Sequence, residues 1–143
     1  ETGSFRRAAD RLGVTQPALT AQIAALEAGL GLQLFERSRR GAALSPEGRE
    51  LLGSAHASCF AMALSFALAD AGFEDGELSV EAHVTLEKEG DGFSVVKSEL
   101  VLDAVVNGIE EEQFKEIAGG AKENCPISKV LNAKITLTHT LNK

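Results

Sequence analysis

The chain has no tryptophan and no tyrosine, so its seven phenylalanines are its whole aromatic complement. It has three prolines, one methionine and only two cysteines in 143 residues. Cys59 and Cys125 are too few for the disulfide scaffold of a secreted domain, so a reducing cytoplasm is the expected setting. No basic segment followed by an apolar run and a small-residue cleavage site opens the chain, so no secretory signal is expected. The first residue is Glu1 and helix signals begin almost at once, the pattern of a sequence that starts inside a larger unit.

Basic residues are missing unevenly. Lysine is absent from residues 1–50 and arginine from residues 51–143. The first segment sets seven arginines against six acids, about +1, and the second seven lysines against fifteen acids, −8, for a formal −7 overall. That balance excludes a generally basic nucleic-acid coat. Two halves that share no basic residue type read as segments with separate histories.

Leu51 to Ala69 lacks any Asp, Glu, Lys or Arg and meets the bare length rule for a membrane span. It is built of Ala and Ser, with His56 and Cys59 inside, and Arg49, Glu50 and Asp70 flank it without a basic cluster. The expectation is the central helix of a soluble domain, with no membrane partner.

Residues 4–12 predict a short helix, with Ser4 as its cap and Ala8, Ala9 and Leu12 as its apolar face. After Gly13, Thr15 starts a second helix with Pro17 in its first turn and Leu19, Ile23, Leu26 and Leu30 on its inner face. Leu32–Phe35 and Ala42–Leu44 predict a small hairpin whose tip carries Arg37, Arg39 and Arg40. Helix, turn, helix and basic hairpin describe a winged helix-turn-helix. Its second helix, opening Thr15-Gln16-Pro17, would present Gln16, Thr20 and Gln22 to base edges, and the wing arginines would reach phosphates.

The strings Gly3-Ser4-Phe5-x-x-Ala8-Ala9-x-x-Leu12, Val14-Thr15-Gln16-Pro17-Ala18-Leu19, Leu34-Phe35-Glu36-Arg37 and Leu44-Ser45-Pro46-x-Gly48 carry more than composition does. Over residues 1–52 the chain closely resembles the DNA-binding domain of LysR-type transcriptional regulators. Family members have a further helix before Gly3-Ser4-Phe5, and commonly basic residues where Ala21, Ala24 and Ala25 stand here. The resemblance therefore implies a truncated motif with a weakened grip on DNA.

The second segment predicts a long Ala-rich helix ending at Gly72, then strands near 78–86 and 93–106 joined by the turn Glu89-Gly90-Asp91-Gly92. Glu110–Ala121 reads as a helix with glutamates at its positive end, its last turn weakened by Gly119-Gly120. A short helix follows Cys125-Pro126, and a last strand covers 133–141. Cys125 at a helix N-cap favours a thiolate, whereas Cys59 sits on the apolar helix one turn after His56. Residue by residue, the two cysteines are either a redox pair or two buried small hydrophobes. His83 is expected in solvent, and His139, on the apolar face of its strand, as a satisfied rim or core residue.

Two strings add a resemblance: Leu52-Gly53-Ser54-Ala55-His56-Ala57-x-Cys59-Phe60-x-Met62-Ala63-Leu64-Ser65 and Ala121-Lys122-x-x-Cys125-Pro126-Ile127-Ser128-x-x-Leu131. Residues 51–143 closely resemble the C-terminal part of the OsmC/Ohr family of cytoplasmic, cysteine-dependent hydroperoxide reductases. The resemblance implies Cys59 as the peroxidatic cysteine and Cys125 as the resolving one, an organic hydroperoxide as substrate, and a dithiol or lipoyl-type reductant. It implies no metal, flavin or haem, and the sheet edge left where the family's N-terminal strands would pair predicts a homodimer or higher oligomer. The family's N-terminal strands, with their catalytic Arg, are replaced here by the helix-turn-helix sequence. Arg49 stands where the family has its catalytic Glu, and Glu47 lies two residues earlier, so Glu47, Arg49 and His56 are the candidate supporting residues.

The chain is therefore expected to be α+β. A truncated winged helix-turn-helix, 1–50, joins an OsmC-like part, 51–143, whose long central helix packs on an antiparallel sheet. Three functions follow from this: a thiol peroxidase of oxidative stress defence, slowed by the hybrid N-terminus; a DNA-binding regulator with a peroxide-sensing thiol pair; and an inactive chimera.

Overall fold

The computed structural model describes residues 4–38, 41–90 and 92–142. The elements are α1 (Phe5–Leu12), α2 (Gln16–Leu30), β1 (Phe35–Ser38), β2 (Gly41–Leu44), α3 (Pro46–Asp70), β3 (Gly76–Glu89), β4 (Gly92–Val106), α4 (Glu111–Asn124), α5 (Pro126–Val130) and β5 (Lys134–Asn142). The expected α+β class is observed. The chain divides into two compact units, residues 1–51 with 86–95 and residues 52–85 with 96–143.

In the first unit α1 stops at Gly13, whose φ of +67° suits a residue without Cβ. Its neighbour α2 begins where the Thr15 hydroxyl accepts the Ala18 N–H at 3.3 Å, with Pro17 in the first turn. Leu19 and Ile23 are half-buried as expected, but Leu26 and Leu30 are 47% and 44% exposed. The reason is length. Eight residues of α1 rise about 12 Å and fifteen of α2 about 22 Å, so α1 can cover only part of the longer helix.

The wing is anchored from α2. The Glu27 carboxylate accepts the N–H groups of Leu34 and Phe35 at 2.8 and 3.1 Å, and β1 then pairs antiparallel with β2, Phe35 opposite Leu44. The Ser45-Pro46-x-Gly48 string is a helix start. The Ser45 hydroxyl accepts the Gly48 N–H at 2.9 Å, Pro46 opens α3, and a Cβ on Gly48 would strike the Leu34 carbonyl. An apolar cavity of about 270 Å³ lies within this unit, lined in part by Phe5, Leu19, Ile23, Phe35 and Phe93.

A three-stranded sheet runs in the order β3-β4-β5, and all of it outside residues 86–95 belongs to the second unit. Side chains alternate along β4, so Ser98, Leu100, Leu102, Ala104 and Val106 are buried on one face. Phe60, Leu64 and Leu68, four residues apart on α3, join that face, and Phe114, Ala118 and Ala121 of α4 complete the core. By length and composition alone α3 could cross a bilayer; a third of its apolar window is buried in this core, while Met62 and Phe66 are 57% and 67% exposed.

Two expectations are corrected. The sheet is mixed rather than wholly antiparallel, because β5 runs parallel to β4, Lys97 opposite Lys134 through Val105 opposite Asn142. The crossover through α4 and α5 returns the chain to the same end of the sheet, as a parallel pair requires. Nor does α4 fray at Gly119-Gly120. It runs to Asn124, since burial of Ala118 and Ala121 offsets the poor helix propensity of glycine.

Candidate active site

Helix α3 approaches β3 closely at Gly53, where a Cβ would come within 2.5 Å of the Ala82 carbonyl oxygen. One turn on, His56 enters the core, fully buried, and Cys59 follows at half-exposure. From the other side, α4 ends at Cys125, whose N–H reaches the Ala121 carbonyl at 2.9 Å and which also opens α5. The two sulfurs, 66 residues apart in sequence, stand 3.0 Å from each other.

The environments of the sulfurs differ. Burial and the hydrogen bond to Cys125 push the Cys59 thiol up, and the Ile127 N–H only partly offsets this. Burial alone would also raise Cys125. Hydrogen bonding with Cys59, with the N–H and hydroxyl of Ser128 and with the N–H of Ile127 outweighs it, so this thiol lies below its ordinary value. Fully buried Cys125 is thus the more acidic of the two thiols, and the solvent-reachable sulfur is that of Cys59.

Both ring nitrogens of His56, a candidate supporting residue, are engaged by serine hydroxyls. Its Nδ1 meets the Ser98 hydroxyl at 2.8 Å and its Nε2 the Ser128 hydroxyl at 2.9 Å, and burial holds its pKa below the usual imidazole value. Ser98 went unmarked in the sequence, although a serine on the otherwise apolar face of β4 is the signal that could have found it. Glu47, exposed, and Arg49, half-buried, lie on the part of α3 that belongs to the first unit. Neither is among the groups that act on the sulfurs. His83, mostly exposed, pairs with Glu81 at 3.5 Å; His139 at the rim meets Glu111 at 2.8 Å and the Phe114 ring, its centroid 5.4 Å away.

Of the nucleic-acid candidates, Gln16, Pro17 and Gln22 are exposed and Thr20 is half-buried. Thr15 is exposed but its hydroxyl is engaged as the helix cap. Arg37 is exposed and its guanidinium lies 4.7 Å from the Phe5 ring centroid, a cation–π contact that restrains it. Arg39 and Arg40 lie outside the described residues.

Comparison with known proteins finds two families on the one chain. A model described as bacterial regulatory helix-turn-helix protein, lysR family, matches residues 1–49, and one described as OsmC-like protein matches residues 40–140. Peroxiredoxin OsmC of Escherichia coli strain K12 is 45% identical over 92 residues, 64% of this chain and 64% of its own length. A protein of Mycobacterium avium named "Probable hydrogen peroxide-inducible genes activator" is 51% identical over 75 residues, 52% of this chain and 24% of its own length. The chain thus spans less than two thirds of either relative. Among solved structures, an organic hydroperoxide resistance protein from Elizabethkingia anophelis superposes with a TM-score of 0.56 at 27% identity, covering 71% of this chain and 74% of that one. Bacillus subtilis OhrB gives 0.55 at 21%, covering 74% and 94%, a likeness of fold.

Proposed function

Because the chain belongs to the OsmC-like protein family through residues 40–140, we propose that it is a thiol peroxidase that reduces organic hydroperoxides through Cys59 and Cys125. The observation that carries this reading is the 3.0 Å approach of the half-exposed Cys59 sulfur to the buried Cys125 sulfur. The domain division proposed with it is 1–50 and 51–143, and a reducing cytoplasm is the setting that keeps both thiols reduced.

The chemistry balances within the pair. As peroxide arrives, Cys59 passes its proton to the Cys125 thiolate. The Cys59 thiolate then attacks the distal oxygen; the O–O bond breaks, Cys59 becomes a sulfenic acid, and the alkoxide takes the proton from Cys125 to leave as alcohol. The regenerated Cys125 thiolate attacks the sulfenic sulfur, the disulfide forms and hydroxide departs. A dithiol or lipoyl-type reductant then returns two electrons and two protons to the sulfurs. Consumption of an organic hydroperoxide in the presence of a dithiol tests this: turnover is expected, and consumption no faster than in buffer would overturn it. The homodimer or higher oligomer expected from the open sheet edge is read by light scattering, where a monomer at micromolar concentration would refute it.

A second reading, DNA binding, is favoured by the match of residues 1–49 to the lysR-family helix-turn-helix. With about +1 on residues 1–50 and Ala21, Ala24 and Ala25 on α2, binding should be weak, lose strength steeply with salt and discriminate little between sequences. Fluorescence anisotropy on duplex DNA measures it; nanomolar, sequence-selective binding at physiological salt would instead favour a regulator.

A further inference from the structure

Two links join helix α3 to helix α5, and they lie one turn apart. Cys59 of α3 meets Cys125, at the start of α5, sulfur to sulfur at 3.0 Å. Three residues earlier on α3 stands His56, and three residues after Cys125 stands Ser128, with 2.9 Å between the His56 Nε2 and the Ser128 hydroxyl. Residues three apart are neighbours on a helix surface, so this hydrogen bond runs beside the sulfur contact and spans the same two segments.

Helix α5 needs such a link. It is five residues long, too short to be stable by its own backbone bonds, and none of its residues is fully buried. The N–H of Cys125 on the Ala121 carbonyl fixes the entry of the chain into α5. Beyond Pro126 its path rests on Ile127, which packs on the core, and on the Ser128 hydroxyl. Lys129 reaches back only to Asn124, Nζ to Oδ1 3.3 Å. The imidazole at the other end of the Ser128 bond is itself fixed. His56 is fully buried, and its Nδ1 meets the hydroxyl of Ser98, buried on β4, at 2.8 Å. The bridge from Ser98 through His56 to Ser128 carries the rigidity of the core out to the segment that bears Cys125.

We propose that His56 is a positioning residue: through Ser128 it holds α5 where the Cys125 sulfur meets that of Cys59, so that closing the disulfide requires little further ordering of the chain. The proposal rests on the peroxidase reading for its place in turnover, but the geometry acts on the disulfide whatever the oxidant. With the hydrogen bond made, two links order the same pair of segments, and each raises the effective concentration for the other. Without it α5 gains freedom while the sulfurs are reduced, and the disulfide must impose that order alone.

Equilibration of the folded chain with reduced and oxidised dithiothreitol tests this without peroxide. Cys59 and Cys125 give two electrons and two protons to oxidised dithiothreitol as their disulfide forms, and the equilibrium constant reports the effective concentration of one thiol at the other. Ser128→Ala is expected to lower that constant roughly three- to tenfold, the contribution of one hydrogen bond, and Ser128→Thr to restore it. The two amide replacements of the histidine separate its two contacts. His56→Asn places an amide near the position of Nδ1, facing Ser98, whereas His56→Gln reaches the position of Nε2, facing Ser128. His56→Asn should therefore lower the constant as Ser128→Ala does and add nothing to it, while His56→Gln should retain most of it. An unchanged constant in Ser128→Ala, where a half-buried side chain loses one oxygen, would overturn the proposal. So would an equal fall in His56→Asn and His56→Gln, which would mean that the ring acts only by filling the core. After a peroxide pulse, Ser128→Ala should lengthen the life of the Cys59 sulfenic acid by the same roughly three- to tenfold factor. A lowered constant in Ser128→Ala with no sulfenic acid in the unsubstituted chain would uphold the positioning and defeat the peroxidase reading alone.

Discussion

Cys59→Ser is expected to reduce peroxide consumption to the uncatalysed rate. A serine hydroxyl beside Cys125 has nearly the same shape, but it is a weak nucleophile without a strong base and cannot hold a sulfenic oxygen. Cys125→Ser should behave differently. The accessible sulfur remains, so peroxide still oxidises Cys59. The sulfenic acid then persists because nothing resolves it. Peroxide loss followed by colorimetry, with sulfenic acid trapped and read by mass spectrometry, separates the two. Equal consumption by Cys59→Ser and the unsubstituted chain would remove Cys59 from the chemistry.

The second large effect is on stability. Phe114 is fully buried in the core formed by α3, β4 and α4, with the His139 ring beside it. Phe114→Ala would leave a cavity at the helix that leads directly into Cys125, costing about 3–5 kcal/mol. Against a typical stability of roughly 5–15 kcal/mol that is a large fraction. A fall in melting temperature of roughly 10–20 °C is expected by circular dichroism. Phe66→Ala, at a side chain 67% exposed on the far face of α3, should leave the melt nearly unchanged. Similar melts for both variants would contradict the placement of the core.

The elements were largely legible because their signals are local. Thr15 and Pro17 mark a helix start, Gly13 and Gly31 mark ends at positive φ, and alternation from Leu78 to Leu86 marks a strand. Long-range consequences were not. Nothing in the sequence of α2 says that α1 is too short to cover Leu26 and Leu30, and nothing in Lys134–Asn142 says that it pairs parallel to β4. The continuation of α4 past Gly119-Gly120 depends on Ala121 being buried, which is a tertiary fact. At the site, Cys59 and Cys125 were found through strings that resemble a family. The hydroxyls of Ser98 and Ser128 were not, since serine is common and only the fold brings these two to one imidazole.

The central claim is that Cys59 and Cys125 form one two-electron centre. Treatment of the reduced chain with one equivalent of an organic hydroperoxide, followed by peptide mapping without reduction, tests it most directly. The account predicts that the peroxide is consumed once per chain and that the peptides bearing Cys59 and Cys125 are recovered joined by a disulfide. Recovery of both peptides with free thiols, the peroxide still in solution, would contradict it.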